Sequence, residues 1–462
     1  MGAYLRRVRG FGRDIRLFLL YNLLAYVGFG VFQLLYNLYL YRLGLREDFI
    51  GAFNGVQTLA MAGASATMGP VLARTGVWRA IVGGFALFLV VSLALAFAEA
   101  RGVLLVLSAL LGVGLAYLFT STMPFIIEWG RRDLRADIAA IAFSLISLAT
   151  TIGSLLGGAL PALVGRLAGG GPDGVAAYRW TLVAGTVLAT AGLAPLLAMG
   201  PARRSRPRHD HAAACEDEDP AIRRQVRKDM GVFIAVGGLM ALGAGMVMPF
   251  YNVYLTTLGA NARSVGYVYA VGGLAAAVIG LTAPALAARV GSLRAVLWVR
   301  LSVVPAYLLL LVVPSYGVAV VAHLVRQTSI SMGWPLDSTF IAEVLPARAR
   351  ASVFGLRSAA WNLAFSGASL VGGAIIVRAG YGWTFASLVV FTSLGVGLFV
   401  GYFGAHPMVR SGAVPSALPR GRRTRVDVAA ATPGGGGEDA AATRPDGPAP
   451  TSPTPANARP AK

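Results

Sequence analysis

The stretch YNLYLYRLG at 36–44 returns as YNVYLTTLG at 251–259, an offset of 215 residues. The same offset carries Gly28 and Gly30 onto Gly243 and Gly245, Gly51 onto Gly266, and ARTGVWRA (73–80) onto ARVGSLRA (288–295). It carries Glu128, Arg135 and Ala136 onto Glu343, Arg350 and Ala351, and Gly157-Gly158 onto Gly372-Gly373. No gap is needed from about residue 28 to residue 158, and YRWT at 178–181 then pairs with YGWT at 381–384 across a shorter connection. The chain is therefore read as two copies of one structural unit.

The composition says which solvent that unit is built for. Of 462 residues, 56% are hydrophobic and only 13% charged, against about 25% charged in an ordinary soluble domain. Mean hydropathy is +0.66. A bilayer core of roughly 30 Å takes about 20 apolar residues as helix. Ten stretches lack Asp, Glu, Lys and Arg: 17–41, 49–73, 80–98, 102–127, 138–165, 180–202, 230–262, 264–288, 358–377 and 379–409. The apolar but charge-interrupted region 295–357 turns at Pro314-Ser315 and adds helices at about 293–313 and 317–341. None of these runs alternates in polarity as barrel strands do. The expectation is an all-α membrane protein of twelve transmembrane helices in two pseudo-symmetric six-helix bundles, 1–199 and 230–405. A cytoplasmic linker at 200–229 divides them, and an Ala-, Pro- and Gly-rich segment at 406–462 reads as a disordered tail.

The net charge of +20 and the excess of basic residues, 40 against 20 acidic, could suggest nucleic acid. Their placement gives another account. With the N-terminus inside, 22 of the 40 fall in connections on the inner side and 7 on the outer, apart from the tail and three within helices. That asymmetry sets both termini in the cytoplasm of a multi-pass cell-membrane protein and leaves no call for nucleic acid. The first apolar run is too long for a signal-peptide core and is expected to be retained. Cys215 is the only cysteine, which excludes a disulfide scaffold and a Cys-based metal site. No metal or cofactor is expected, and a monomer is.

With the repeat and the loop motifs together, the chain resembles the major facilitator superfamily over nearly all of residues 15–404. The family's loop between helices 2 and 3 has a pattern like G-x-L-a-D-R-x-G-R. Gly69, Arg74 and Gly76 match it, with Ala73 at the acidic position. Arg289 and Gly291 match it in the second half, where Ala288 again replaces the acid. EVLPARAR at 343–350 is similar to the family's helix 10–11 loop. GSLLGG at 153–158 is similar to the family's antiporter pattern, but ASLVGG at 368–373 repeats it, which favours close packing of small residues. RQTSISMG from Arg326 resembles the family's arginine pattern on helix 4, transposed to helix 10. The resemblance implies two rigid bundles around a central site.

Polar groups in hydrocarbon are costly and face a cavity or a partner. Gln33, Tyr36 and Asn37 share one face of helix 1, Tyr251 and Asn252 repeat on helix 7, and Tyr117 and Thr120 lie on helix 4. Trp361 and Asn362 on helix 11 complete the set of uncharged cavity candidates. The other reading of the asparagines is interhelical glue. For the YNxYL tyrosines, near the outer end of their helix, it is an interfacial belt or an outer gate. The charges His323, Arg326, Asp337 and Arg357 have no counterpart in the first half, where Ser108, Leu111, Thr122 and Ala142 stand. Arg326 is read as an anion-binding or proton-coupling residue, or as a brace bonded to backbone carbonyls or Gln327. Arg300 is expected to snorkel to the cytoplasmic surface. Asp337 and Arg357 lie at similar depths and are expected to pair, as a gate, a coupling site or a permanent brace.

No Walker loop, zinc pattern or G-x-S-x-G elbow is present, so neither an ATP motor nor an enzyme is read. The leading expectation is a secondary transporter of a small organic solute, an exporter, with proton coupling open. Helix 1 lacks Asp and Glu, so neutral, zwitterionic or anionic solutes fit better than cations. Alternatives are an importer of a sugar-like metabolite and, from another class, a membrane receptor or assembly factor.

Overall fold

Each apolar run is a helix, because in hydrocarbon the helix bonds every N–H and C=O within its own segment. The computed structural model describes residues 11–131, 134–167, 171, 173–200 and 220–406. These fall in one compact unit, Met1–Ala417; the separate unit Leu418–Lys462 lies outside the described residues. So do the expected tail from residue 407 and residues 201–219 of the expected linker.

The first half comprises α1 (Arg13–Arg42), α2 (Glu47–Thr75), α3 (Val77–Phe97), α4 (Arg101–Trp129), α5 (Arg135–Leu167) and α6 (Val175–Thr190, prolonged by Leu193–Ala198). The second half opens with α7 (Pro220–Val247, a 3-10 turn Met248–Phe250, then Tyr251–Thr257) and α8 (Ala262–Gly280 and Ala283–Val290). It continues with α9 (Ser292–Leu301 and Val303–Val312), α10 (Tyr316–Val344), α11 (Ala347–Ala379) and α12 (Tyr381–Phe403). Ten spans are long and apolar enough to cross a membrane. The other two, α2 and α10, have 29 residues each but carry Asn54, Gln57 and Thr58, or Arg326, Gln327 and Asp337. Apolar side chains such as Val90, Val106 and Leu274 stand exposed, as lipid-facing residues do.

Two departures from the sequence reading have local causes. Helix α7 starts at Pro220, so 220–229 is helix rather than solvated linker. Asp229 there is buried and accepts from Tyr402 Oη (2.7 Å) and Gln225 Nε2 (2.9 Å), which ties the start of α7 to the end of α12. Spans α6 to α9 are interrupted, each within a few residues of a proline: Pro195, Pro249, Pro284 and Pro305. Proline removes a donor and crowds the carbonyl four residues earlier. The first-half counterparts of the last three are Leu34, Gly69 and Val90, where α1, α2 and α3 run unbroken. Pro70, Pro124, Pro161 and Pro335 sit within continuous helices, so a proline alone does not suffice for a break.

The repeat holds in the packing. In the first half α1 packs on α5 and α6, α2 on α4, and α3 on α4 and α6; in the second, α7 packs on α11 and α12, α8 on α10, and α9 on α10 and α12. It holds to the atom at the ends of α4 and α10. Arg135 donates to the carbonyls of Ile127 (2.5 Å) and Gly130 (3.2 Å), and Arg350 to those of Ala342 (2.6 Å) and Leu345 (3.0 Å), each partner 215 residues on. These arginines satisfy carbonyls that a helix end leaves without partners. The repeated glycines of the loop motif, Gly76 and Gly291, have φ of +81° and +86°, a backbone that a Cβ would strain.

Candidate functional site

The halves meet through α2 against α11 and α5 against α8. Their two ends are here called the linker end, where 200–219 joins the halves, and the far end, where α1 turns into α2. At the far end the halves are shut. Asn37 donates to the carbonyl of Pro249 (2.8 Å), and Asn252 donates to that of Leu34 (2.8 Å). Each acceptor is the other's counterpart at the 215-residue offset, so the bonds are reciprocal. Ser366 and Ser369 of α11 donate to Gly55 (2.8 Å) and Gly51 (3.1 Å) of α2. Tyr381 donates to the buried Glu47 (2.8 Å). A Cβ on Gly158 would sit 2.9 Å from Gly266 Cα, and one on Gly373 would strike the backbone of Glu47 and Asp48.

At the linker end the same faces stand apart. Gly69 follows Gly51 by 18 residues, five full turns and about 27 Å along α2, and so lies on the same face. Gly355 precedes Gly373 by the same 18 residues on α11. Among the described residues nothing lies within 4 Å of a Cβ at Gly69 or Gly355, whereas Gly51 and Gly373 touch the opposite half. The α2 and α11 faces are thus in contact at the far end and without a neighbour at these two linker-end positions.

The sequence candidates separate on this frame. Gln33 is exposed between buried Phe32 and Leu34, and Thr120 is exposed on α4. Trp361 and Asn362 are half-buried on α11. Asn37 and Asn252 form the far-end closure. The tyrosines Tyr36, Tyr39, Tyr251 and Tyr254 are buried at 5% exposure or less, which corrects the interfacial-belt reading: three of them bond inward, Tyr36 to Leu95 (3.4 Å), Tyr39 to Ala96 (2.7 Å) and Tyr251 to Ala319 (2.6 Å). Tyr117 packs against Gly84 of α3 and lines a recess with Val71, Thr75 and Arg79 between α2, α3 and α4, inside one bundle. Arg74 and Arg289 are exposed at the linker end.

Two charged clusters lie in the second half. In the first, both oxygens of Asp337 of α10 accept from one nitrogen, Nη2, of Arg300 of α9 (2.7 and 2.6 Å), and one of them accepts a further bond from Arg357 of α11. The expected Asp337–Arg357 pair is present, but Arg300 does not snorkel; it is buried and joins the pair. All three helices belong to one bundle. In the second, Arg326 donates to His323 Nδ1 (3.1 Å) and stacks over the Tyr251 ring, 4.9 Å from its centroid. Around them stand Tyr269, 4.4 Å from the His323 ring, and Tyr307, 6.2 Å from the Tyr251 ring. No backbone carbonyl or Gln327 bond to Arg326 is made, against the bracing expectation.

Arg300, Glu47, Tyr269 and Tyr307 were not among the sequence candidates. Glu47 opens α2 beside a connection, and its contact Tyr381 is 334 residues away, a distance that no local spacing reveals.

The chain belongs to the major facilitator superfamily: the family model of that description matches residues 18–332. Among solved structures it is similar to the nucleoside transporter NupG (TM-score 0.66, 12% identity, covering 85% of this chain and 98% of that one). It is also similar to a D-xylose-proton symporter (0.63, 13%, 84% and 96%). A third likeness is to a bacterial homolog of the human lysosomal transporter Spinster, in an inward-facing and unoccupied conformation (0.62, 14%, 84% and 95%). No curated protein matches it in sequence. Members of this family are transporters, and the chain is a multi-pass membrane protein of that fold.

Proposed function

We propose that this chain is a secondary transporter that carries a small organic solute by alternating access of its two bundles, and that the linker end faces the cytoplasm. The carrying observation is the pair of glycine faces on α2 and α11, in backbone contact at the far end and open five turns away. A receptor or assembly factor does not need bundles in backbone contact at one end and without a neighbour at the matching glycines five turns away. The excess of arginine at the linker end supports the orientation, which makes the present state inward-facing. A carrier of this kind is reversible, so export or uptake follows from the gradients applied to it rather than from the fold. Neighbours of the same fold named for nucleoside transport and for xylose–proton symport keep neutral, proton-linked solutes within range. Within the cycle the reciprocal Asn37 and Asn252 bonds and the Glu47–Tyr381 contact act as the outer gate, and the Asp337 cluster stiffens the second bundle.

The test is solute counterflow and uptake in proteoliposomes, with and without an imposed pH gradient. Saturable movement that responds to the gradient supports coupled transport, and gradient-independent movement supports facilitation. No movement across a broad panel of nucleosides, sugars and organic acids contradicts the reading.

A further inference from the structure

The Arg326 guanidinium is buried, 5% exposed, yet two of its nitrogens, Nε and Nη1, have no hydrogen-bond partner. Its third, Nη2, meets the ring nitrogen of His323. Among the described residues no carboxylate forms an ion pair with it. A buried guanidinium without a counter-charge is unfavourable. The same molecule shows how an arginine braces a helix: Arg135 and Arg350 each donate to two backbone carbonyls. Arg326 does nothing of the kind. Two further polar atoms in the cluster are also buried without partners, His323 Nε2 and Tyr307 Oη. Unspent donors thus converge in one place, walled by the rings of Tyr251, Tyr269 and Tyr307. Tyr269 and Gln327, beside the cluster, are half-buried. The first half has Leu111 where Arg326 stands, so the duplicated scaffold does not require the charge.

We propose that Arg326 anchors a binding site for small organic monocarboxylates in the second bundle, and that such an anion is the class of solute carried; this rests on the transporter reading above. One guanidinium balances one negative charge. A phosphate monoester brings nearly two and would leave one unmatched. The donors suit carboxylate oxygens, and the tyrosine and histidine rings suit a flat or short apolar body. In the ligand-free state His323 and the Tyr251 face hold the guanidinium; on binding, the carboxylate takes the unspent N–H groups.

The experiment uses the purified full-length protein in detergent, with thermal unfolding and tryptophan fluorescence as readouts and acetate, lactate and benzoate as probes. Benzamide and inorganic phosphate are the controls. At least one monocarboxylate should raise the unfolding temperature saturably, and the controls should not. Arg326→Gln should weaken that binding at least tenfold, with Arg326→Lys in between. Without ligand, Arg326→Gln should unfold at or above the wild-type temperature, because it removes an uncompensated charge. The proposal is overturned if none of the three acids binds, if benzamide or phosphate binds as well, or if Arg326→Gln is less stable than wild type or fails to fold, as loss of a brace predicts. Carboxylate binding without counterflow would sink the transporter reading and keep the site. Transport of a neutral solute without carboxylate binding would do the reverse.

Discussion

Asp337 answers for two arginines at once, and this fixes the energetic order of its neighbours. Arg300 reaches both of its oxygens through one nitrogen, Nη2, while Arg357 makes a single charge-assisted bond and lies over the Trp334 ring at 5.7 Å. Removing the carboxylate strands two guanidiniums side by side. Breaking a buried pair from one side costs roughly 3–5 kcal/mol, so Asp337→Asn should lower the unfolding temperature far more than Arg357→Gln, which leaves the Arg300 pair whole. Unfolding of both variants in detergent checks this; equal stability of Asp337→Asn and wild type would refute the cluster's structural role. The double exchange Asp337→Arg with Arg357→Asp would set a new guanidinium against Arg300, so it should not rescue. The Asp337–Arg357 half of the cluster was legible in the sequence, because helix length and depth constrain it. The Arg300 half was not. Hydropathy places an arginine at a depth but says nothing of which way its helix face turns, and α9 is broken at Ser302.

At the scale of the helix, the small residues of α5 and α11 divide into two jobs. Gly157 and Gly372 pack inside their own bundles, against Val31 and its counterpart Met246, whereas Gly158 and Gly373 pack across the interface on α8 and α2. The repeated pattern that carries them was read as close packing, and the structure shows which neighbours each glycine meets. A large side chain on the second of each pair should therefore disturb closure and not folding. Gly373→Leu is expected to fold near wild-type stability, to raise thiol-reagent access to a cysteine placed at Ser369, and to cut transport at least tenfold. Normal transport by this variant would show that the far end does not need backbone contact to close. Helix existence and pairing followed from the repeat and from apolar length; the breaks in α6 to α9 did not, because prolines in other spans are absorbed without one.

At the scale of the molecule, duplication explains most of what is seen. It yields two bundles with matched packing, reciprocal asparagine bonds and twin arginine caps. The halves differ at three charged places: Arg326, the Asp337 cluster and the buried Glu47 stand opposite Leu111, Thr122 and Ala262. The sequence showed the first two as asymmetric charges but could not show that Arg300 and Arg357 share Asp337 while Arg326 meets no carboxylate among the described residues, since that depends on side chains from five helices. The central claim is that the bundles rock as two bodies, with one end opening as the other closes. Double electron–electron resonance tests it most directly, in lipid, with Cys215 replaced by Ser. One spin-label pair is placed at Arg74 and Ser352 across the linker end and another at Arg46 and Arg378 across the far end. A long linker-end distance and a short far-end distance are expected in the otherwise unmodified protein, with the two moving in opposite directions when Gly373→Leu wedges the far end. A single unchanged distance at both ends, with or without the wedge, would contradict that claim.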